Sequence, residues 1–163
     1  MTMIAAMLML LAAPQALGPD AARCAAGANA PAMLVTITGL RDRGGTIRVR
    51  SFGGSASNYF NKKRALQRIE IPTPNAGAVR ICMPVATAGW YAVDVRHDTN
   101  GNGDTDRADG GGASGNPHVS LLDVIFGNKP PADKVRVWVG QGVTTVPVTV
   151  MYLKGGAFRP AGQ

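Results

Sequence analysis

Residues 90–98, WYAVDVRHD, carry the strongest secondary-structure signal in this 163-residue chain. Apolar side chains occupy the odd positions from 91 to 95, while Trp90, Asp94 and Arg96 occupy even positions. A period of two is that of a β-strand with one buried face and one exposed face. The stretch therefore predicts a strand at the centre of the fold, with a valine-rich face turned toward a core.

The same alternation recurs on both sides of this strand. It is found in residues 33–40, 46–52, 78–84, 134–140 and 144–153, and in the RIEI end of 62–71. Residues 119–126 fit either a strand or a helical turn. Pro147 predicts that the last strand is an edge strand or bulged, because proline donates no backbone hydrogen bond. About seven strands at this spacing, without a long helical period, predict an all-β fold, an antiparallel β-sandwich.

The two ends of the chain differ from this pattern. The first 17 residues carry no charged side chain, and their apolar run is too short to span a bilayer. Such a run is typical of a signal peptide, so we expect a leader over 1–22, cleaved between Ala13 and Ala22. A misassigned start or a short N-terminal helix is the alternative. The β-sandwich is expected over 23–154, followed by a flexible tail over 155–163, with no membrane span once the leader is removed.

The chain has two cysteines, Cys24 and Cys82. Exported chains with two cysteines usually pair them, and a periplasmic or secreted location would favour the disulfide. The alternatives are two separate thiols or a reactive cysteine. The chain has no Cys-x-x-Cys motif or Cys/His grouping that would favour a reactive thiol.

A net charge of +7 would hold the protein against polyanions such as nucleic acid, anionic lipid or cell-envelope glycans. The basic residues are scattered, however, and the one cluster is Lys62-Lys63-Arg64. A nucleic-acid protein would show a denser stripe within a known motif, so nucleic acid is not the expected partner. The alternative is an ordinary solvated basic surface.

The segment HDTNGNGDTDRAD, residues 97–109, gathers much of the acid of this basic chain in one loop. Six of its side chains match the oxygen-ligand positions of a calcium loop: Asp98, Asn100, Asn102, Asp104, Asp106 and Asp109. The last position is Asp where helix-loop-helix calcium proteins have Glu, and the loop follows a strand. The pattern predicts weak Ca²⁺ binding, with a dissociation constant on the order of 10⁻⁴–10⁻³ M. The alternative is a polar loop that needs no metal.

Signals for catalysis are weak. A hydrolase would have only Asp98, Asp106 and His97 to recruit, and their spacing gives no nucleophile–base pair. His97 is more simply a hydrogen-bonded histidine at a strand end, and no spacing indicates a cofactor. We therefore expect a protein that is not an enzyme.

The segments ITGLRDRGGTIRVRSF (37–52) and GWYAVDVRHDTNGNGD (89–104), with the valine-rich last strand, resemble the bacterial domain of unknown function 2141 family. The resemblance covers residues 33–153. It implies an exported, Ig-like or transthyretin-like β-sandwich with a long glycine-containing insertion, here ADGGGASGNPHVSLLDVIFGNKPP. It implies no activity.

Taken together, the residues predict an exported, non-enzymatic β-sandwich module with a weak calcium-binding loop at 98–109, and they do not indicate its cellular role. In this interpretation the cation would shape a surface for a partner such as a cell-envelope polysaccharide or protein. The alternative is a calcium-aided carbohydrate-binding or envelope-adhesion module. In that case Trp90 and Trp138, both on the side opposite the valine core, would stack against sugar rings.

Overall fold

The computed structural model describes residues 15–162, which form ten strands and two short α-helices. The strands are β1 (Ala32–Thr38), β2 (Thr46–Gly53), β3 (Gln67–Pro72), β4 (Val79–Pro84), β5 (Gly89–Asp98), β6 (Gly110–Ala113), β7 (Val137–Val139), β8 (Val143–Thr149), β9 (Met151–Lys154) and β10 (Ala157–Pro160). The helices are α1 (Leu121–Phe126) and α2 (Ala132–Val135). No helix in the described range is long and apolar enough to cross a membrane.

The strands form two sheets. The small sheet has the order β4-β1-β8, and the large sheet has the order β10-β9-β6-β5-β2-β3. The ten-residue β5 is the longest strand: β2 pairs along one edge, while β7 and β6 share the other edge. All pairs are antiparallel except β1 with β8, which run parallel. The predicted all-β sandwich is confirmed, with more strands than the seven or so expected.

One apolar core lies between the two sheets. The small sheet contributes Val35, Ile81 and Val148, and the large sheet contributes Val49 and Val95, among others. These residues sit at alternate positions of their strands and face the space between the sheets. A smaller buried cluster on the other face of the large sheet contains Phe52, Tyr59, Ala92 and Val135. The opposite face of the large sheet carries the polar side chains of β2, β3 and β5, and it holds the sites described below.

Residues 144–153, which the sequence presents as one strand, are two strands in two sheets. β8 ends at Thr149 and β9 begins at Met151, so the chain changes sheet at Val150, which is fully buried. Pro147 lies in β8, at the edge of the small sheet, as its missing N–H requires. Residues 121–126 are helical, and β6 occupies part of the predicted long loop.

The disulfide between Cys24 and Cys82 is present and joins the N-terminal arm to β4. The arm also pairs directly with β4, because the Leu17 N–H donates to the Arg80 carbonyl at 2.7 Å. The Leu17 carbonyl in turn accepts from the Cys82 N–H at 3.3 Å. Residues 1–14 of the predicted leader lie outside the described residues, whereas residues 15–22 belong to this arm.

Part of the segment 155–163, expected to be a flexible tail, is a strand. Ala157–Pro160 form β10, which pairs with β9 in an antiparallel hairpin. Gly155 and Gly156 make the turn, both with positive φ. The Gly-Gly pair therefore closes a hairpin, because these two residues adopt left-handed backbone at little cost.

Candidate functional site

The acidic loop begins at the last residue of β5. The carboxylate of Asp98 is buried and accepts hydrogen bonds from the backbone N–H groups of Gly101 and Gly103, each at 2.8 Å. Both glycines have positive φ, which lets the chain curl around the carboxylate. Gly45, in the turn before β2, lies against this loop so closely that an added Cβ would be 1.7 Å from the Asp98 carbonyl oxygen.

The centre of the loop is occupied by the guanidinium of Arg96. Its Nη2 is 2.7 Å from Oδ2 of Asp98, and its Nε is 3.4 Å from Oδ2 of Asp109. The same group donates to the carbonyl oxygens of Gly103 and Asp104. Only 12% of the Arg96 side chain is exposed, so this cation is held inside the loop. The single buried guanidinium of Arg96 thus lies between two buried carboxylates.

The other predicted ligands are engaged with one another. Asp106 accepts from the side-chain amides of Asn100 and Asn102, at 2.8 and 3.2 Å. A hydrogen bond from the Ala108 N–H, together with these amides, holds the pKa of Asp106 below its usual range. The side-chain oxygen of Asn102 accepts from the backbone N–H of Asp104 at 2.9 Å. These contacts are the Asx turns of a self-satisfied polar loop.

The arrangement does not form a calcium cage. Asp98 and Asp109 face the Arg96 guanidinium, and Asp106 faces two amides. Within residues 15–162, no three histidine, cysteine or carboxylate side chains are grouped so that they could share a metal ion. Calcium binding stays a prediction, and it would require Arg96 to leave the centre of the loop.

His97 is fully buried at the end of β5. Its Nε2 is 2.9 Å from the Gly44 carbonyl oxygen, which can only accept, so Nε2 carries the hydrogen. Nδ1 then accepts from the Tyr152 hydroxyl at 2.5 Å, and that hydroxyl accepts from the Arg41 N–H at 3.1 Å. Burial raises the pKa of Tyr152, which keeps its hydroxyl protonated. This chain of hydrogen bonds ties the β1–β2 turn to β5 and β9.

Replacing Tyr152 by Phe is expected to lower the free energy of unfolding by about 1–3 kcal/mol, since one fully buried and one part-buried polar group lose their partner. Those groups are Nδ1 of His97 and the N–H of Arg41. Urea unfolding would measure the loss, with Tyr59→Phe as the control. Among the described residues the Tyr59 hydroxyl has no hydrogen-bond partner, although the residue itself is buried. A loss no larger than that of the control would show that the chain of hydrogen bonds does not contribute to stability.

A basic cleft of about 520 Å³ lies on the outer face of the large sheet, beside the acidic loop. Its basic lining residues are Arg48, Arg50, Lys62, Arg68 and Arg96. The register places Arg48 directly opposite Arg96 and Arg50 directly opposite Arg68. Like charges directly opposite each other on neighbouring strands are destabilising. These arginines are scattered along the sequence, and only the strand pairing brings them together.

Three of these cations form an ion pair with a carboxylate, whereas Arg48 and Lys62 form none among the described residues, although Glu70 lies opposite Arg48 on β3. Arg50 binds Asp94 through two hydrogen bonds, and Arg68 binds Glu70 at 2.6 Å. Among the described residues Arg48 forms no ion pair, and its buried Nε has no hydrogen-bond partner. Burial lowers the pKa of Arg48, and the charges of Arg50 and Arg96 lower it further. The cleft therefore has an excess of positive charge centred on Arg48.

Trp90 and Trp138 lie opposite each other on β5 and β7. Their rings are in edge-to-face contact with centroids 5.3 Å apart, and the residues are 46% and 54% exposed. The Arg136 guanidinium covers one face of Trp90 at 4.6 Å. The predicted exposure of both side chains away from the core is correct. Their role in sugar stacking stays a prediction.

Comparison with known proteins agrees with the resemblance noted from the sequence. No curated protein and no solved structure matches the chain. Residues 35–147 match the family described as "Uncharacterized protein conserved in bacteria (DUF2141)". The match runs from β1 to the middle of β8, and so includes the acidic loop and the basic cleft. Since it covers more than half of the chain, the protein belongs to the DUF2141 family of bacterial proteins.

Proposed function

We propose that this protein is an exported, non-enzymatic module that binds an anionic polysaccharide of the cell envelope through the basic cleft. The observation that carries the proposal is Arg48, a part-buried cation whose buried Nε has no partner among the described residues. A carboxylate or phosphate in the cleft would supply the missing acceptor and would relieve the repulsion between Arg48 and Arg96. Arg50 and Lys62 flank the same position.

Export is supported by the disulfide and by the uncharged N-terminal segment. Disulfides persist in oxidising compartments and are rare in the bacterial cytosol. The contacts of Leu17 with β4 favour cleavage before this residue, because a cut nearer Ala22 would remove both backbone hydrogen bonds. Under this proposal the mature domain begins some residues earlier than position 23.

A polysaccharide fits the cleft better than a nucleic acid. Proteins that bind single-stranded nucleic acids combine basic grooves with aromatic side chains on which bases stack. The residues that line this cleft include no aromatic side chain. The exposed aromatic pair Trp90 and Trp138 lies on β5 and β7 of the same sheet and would stack against sugar rings of a longer chain.

In this proposal Arg96 orders the acidic loop. In the alternative, a calcium-aided carbohydrate-binding module, a calcium ion would do so. With the arginine buried between Asp98 and Asp109, the loop has a fixed shape without an added cation. The proposal of a non-enzymatic role is supported by the surroundings of two candidate catalytic residues. Asp98 and His97, two residues that a hydrolase would recruit, are buried and held by structural hydrogen bonds.

Retention of the full chain on immobilised polygalacturonate, with neutral dextran as the reference, tests the proposal. The variant Arg48→Gln/Lys62→Gln is expected to bind about tenfold more weakly, the equivalent of about 1.4 kcal/mol. Retention should also fall steeply with added salt, since the contacts are electrostatic.

The matched control is Arg23→Gln/Arg159→Gln, which removes the same charge from two exposed residues outside the cleft. Equal losses in the two double variants would mean that net charge alone causes retention, and would overturn the cleft assignment. Tighter binding to a single-stranded oligonucleotide than to polygalacturonate would overturn the assignment to polysaccharide.

A further inference from the structure

A second cavity, the apolar pocket, lies on the outer face of the large sheet and does not belong to the basic cleft. It has a volume of about 310 Å³ and lies between β6, β9 and β10 on one side and residues 116–130 on the other. Val119, Val124, Met151 and Phe158 contribute apolar side chains to it. Small-ligand pockets have volumes of about 300–1,000 Å³ and mostly apolar walls with a few polar groups.

The glycines of β6 explain how the pocket forms. An added Cβ at Gly110 would lie 2.4 Å from Val150, and one at Gly112 would lie 2.6 Å from the Thr149 carbonyl. Close packing on the core side therefore requires both of these glycines. Gly111 faces outward, opposite Arg96, and an added Cβ there would meet only the Val95 carbonyl oxygen, at 3.8 Å. Neither packing nor a left-handed φ requires glycine at 111, so its effect is to leave the pocket floor open.

Helix α1 extends the apolar surface beyond the pocket. Leu122, Val124, Ile125 and Phe126 are all exposed, with Phe126 at 73%. The helix is nevertheless well capped: Ser120 and Asp123 form a capping box, and Gly127 ends the helix with left-handed backbone. A formed helix that exposes four large apolar side chains marks a surface that meets an apolar ligand or partner.

The charges at the pocket indicate what that ligand carries. The one carboxylate among the lining residues, Asp94, is already bound by Arg50. Lys129, which also lines the pocket, donates to the backbone carbonyl of Tyr59 at 3.0 Å and has no carboxylate partner among the described residues. An ammonium group beside an apolar cavity is complementary to a ligand with a hydrocarbon chain and one negative charge.

We propose that the apolar pocket binds the hydrocarbon chain of an anionic amphiphile of the fatty-acid type. The chain lies over Gly111 and under α1, and the carboxylate meets Lys129. The exposed side chains of α1 extend the apolar contact beyond the mouth of the pocket. This binding is separate from that of the polyanion in the basic cleft, and neither proposal depends on the other.

Isothermal titration of the full chain with dodecanoate, below its micelle concentration, tests the proposal. Gly111→Leu fills the pocket floor without backbone strain, and we expect it to weaken dodecanoate binding at least tenfold. Gly140→Leu is the matched control: an added Cβ there meets nothing within 4 Å and its φ is not left-handed. This control is expected to bind dodecanoate within twofold of the unchanged protein. Unaltered binding by a folded Gly111→Leu variant would overturn the proposal.

Two further measurements separate the other occupants of this surface. Lys129→Gln should weaken dodecanoate binding and leave dodecanol binding unchanged, and equal effects on both would overturn the role of the charge. Sedimentation equilibrium tests for a second copy of the chain. A dimer that dodecanoate does not dissociate would assign the apolar surface to self-association and overturn the proposal. The proposal is also overturned if phosphatidylglycerol vesicles bind both glycine variants equally well and dodecanoate binds neither.

Discussion

Replacing Cys24 and Cys82 together by alanine is expected to lower the free energy of unfolding by about 4 kcal/mol. The disulfide closes a segment of 58 residues, and cutting it returns that loop-closure entropy to the unfolded chain. For a domain of this size, the midpoint of thermal unfolding should fall by roughly 8–16 °C. Calorimetry of the purified full chain, with the disulfide formed, would measure both quantities.

Reduction of the unchanged protein is the matching control for this prediction. A reductant should lower its midpoint nearly to that of the double variant, and should leave the variant itself unaffected. The arm would keep its backbone hydrogen bonds between Leu17 and β4, so the fold should survive in both cases. The prediction fails if fully reduced protein, checked by thiol titration, unfolds at the same temperature as oxidised protein.

Replacing Arg96 by Met is expected to lower the free energy of unfolding by about 3–5 kcal/mol, because removal of one partner leaves a buried charge without compensation. Here two buried carboxylates, those of Asp98 and Asp109, would face each other without the guanidinium. The carbonyl oxygens of Gly103 and Asp104 would also lose their donor. Urea unfolding at neutral pH would measure the loss.

Arg107→Met is the control for this experiment. It removes the same charge from an exposed arginine of the same loop and is expected to cost less than about 1 kcal/mol. Millimolar calcium should return part of the lost stability to Arg96→Met, and should stabilise the unchanged protein less, since its carboxylates already have a cation. A larger calcium effect on the unchanged protein would show that the loop binds calcium with Arg96 in place.

The acidic loop shows how far sequence reasoning reached. The alternation of residues 90–96 located β5, and the spacing of Asp98, Gly101 and Gly103 indicated a tight loop of converging oxygens. The loop is tight and its buried carboxylates do converge on a cation. That cation is Arg96, two residues before Asp98, where the strand pattern had marked it only as an outward-facing side chain. Spacing indicates which oxygens can converge on one point, but it does not indicate which neighbouring cationic side chain binds them.

In the last third of the chain, local sequence signals do not identify the secondary structure. The glycines of β6 give no strand signal in the sequence, since glycine weakens a strand interior, yet two of them are required by contacts with Val150 and Thr149. Those contacts join segments almost forty residues apart. The exposed helix α1 was left open between strand and helix, because a short apolar run fits both. The capping box at Ser120 and the left-handed C-cap at Gly127 favour the helical conformation.

The sequence by itself determined the all-β class, the disulfide partners, the buried face of each long strand and the exposure of Trp90 and Trp138. These follow from local periodicity and from the presence of only two cysteines, which leave a single pairing. The tertiary structure alone decided the basic cleft, the apolar pocket and the place of Arg96. Each of these depends on strand register, which sets Arg48 opposite Arg96 and Gly111 over open space. Register is fixed by the packing of both sheets on a shared core, and no single segment carries that information.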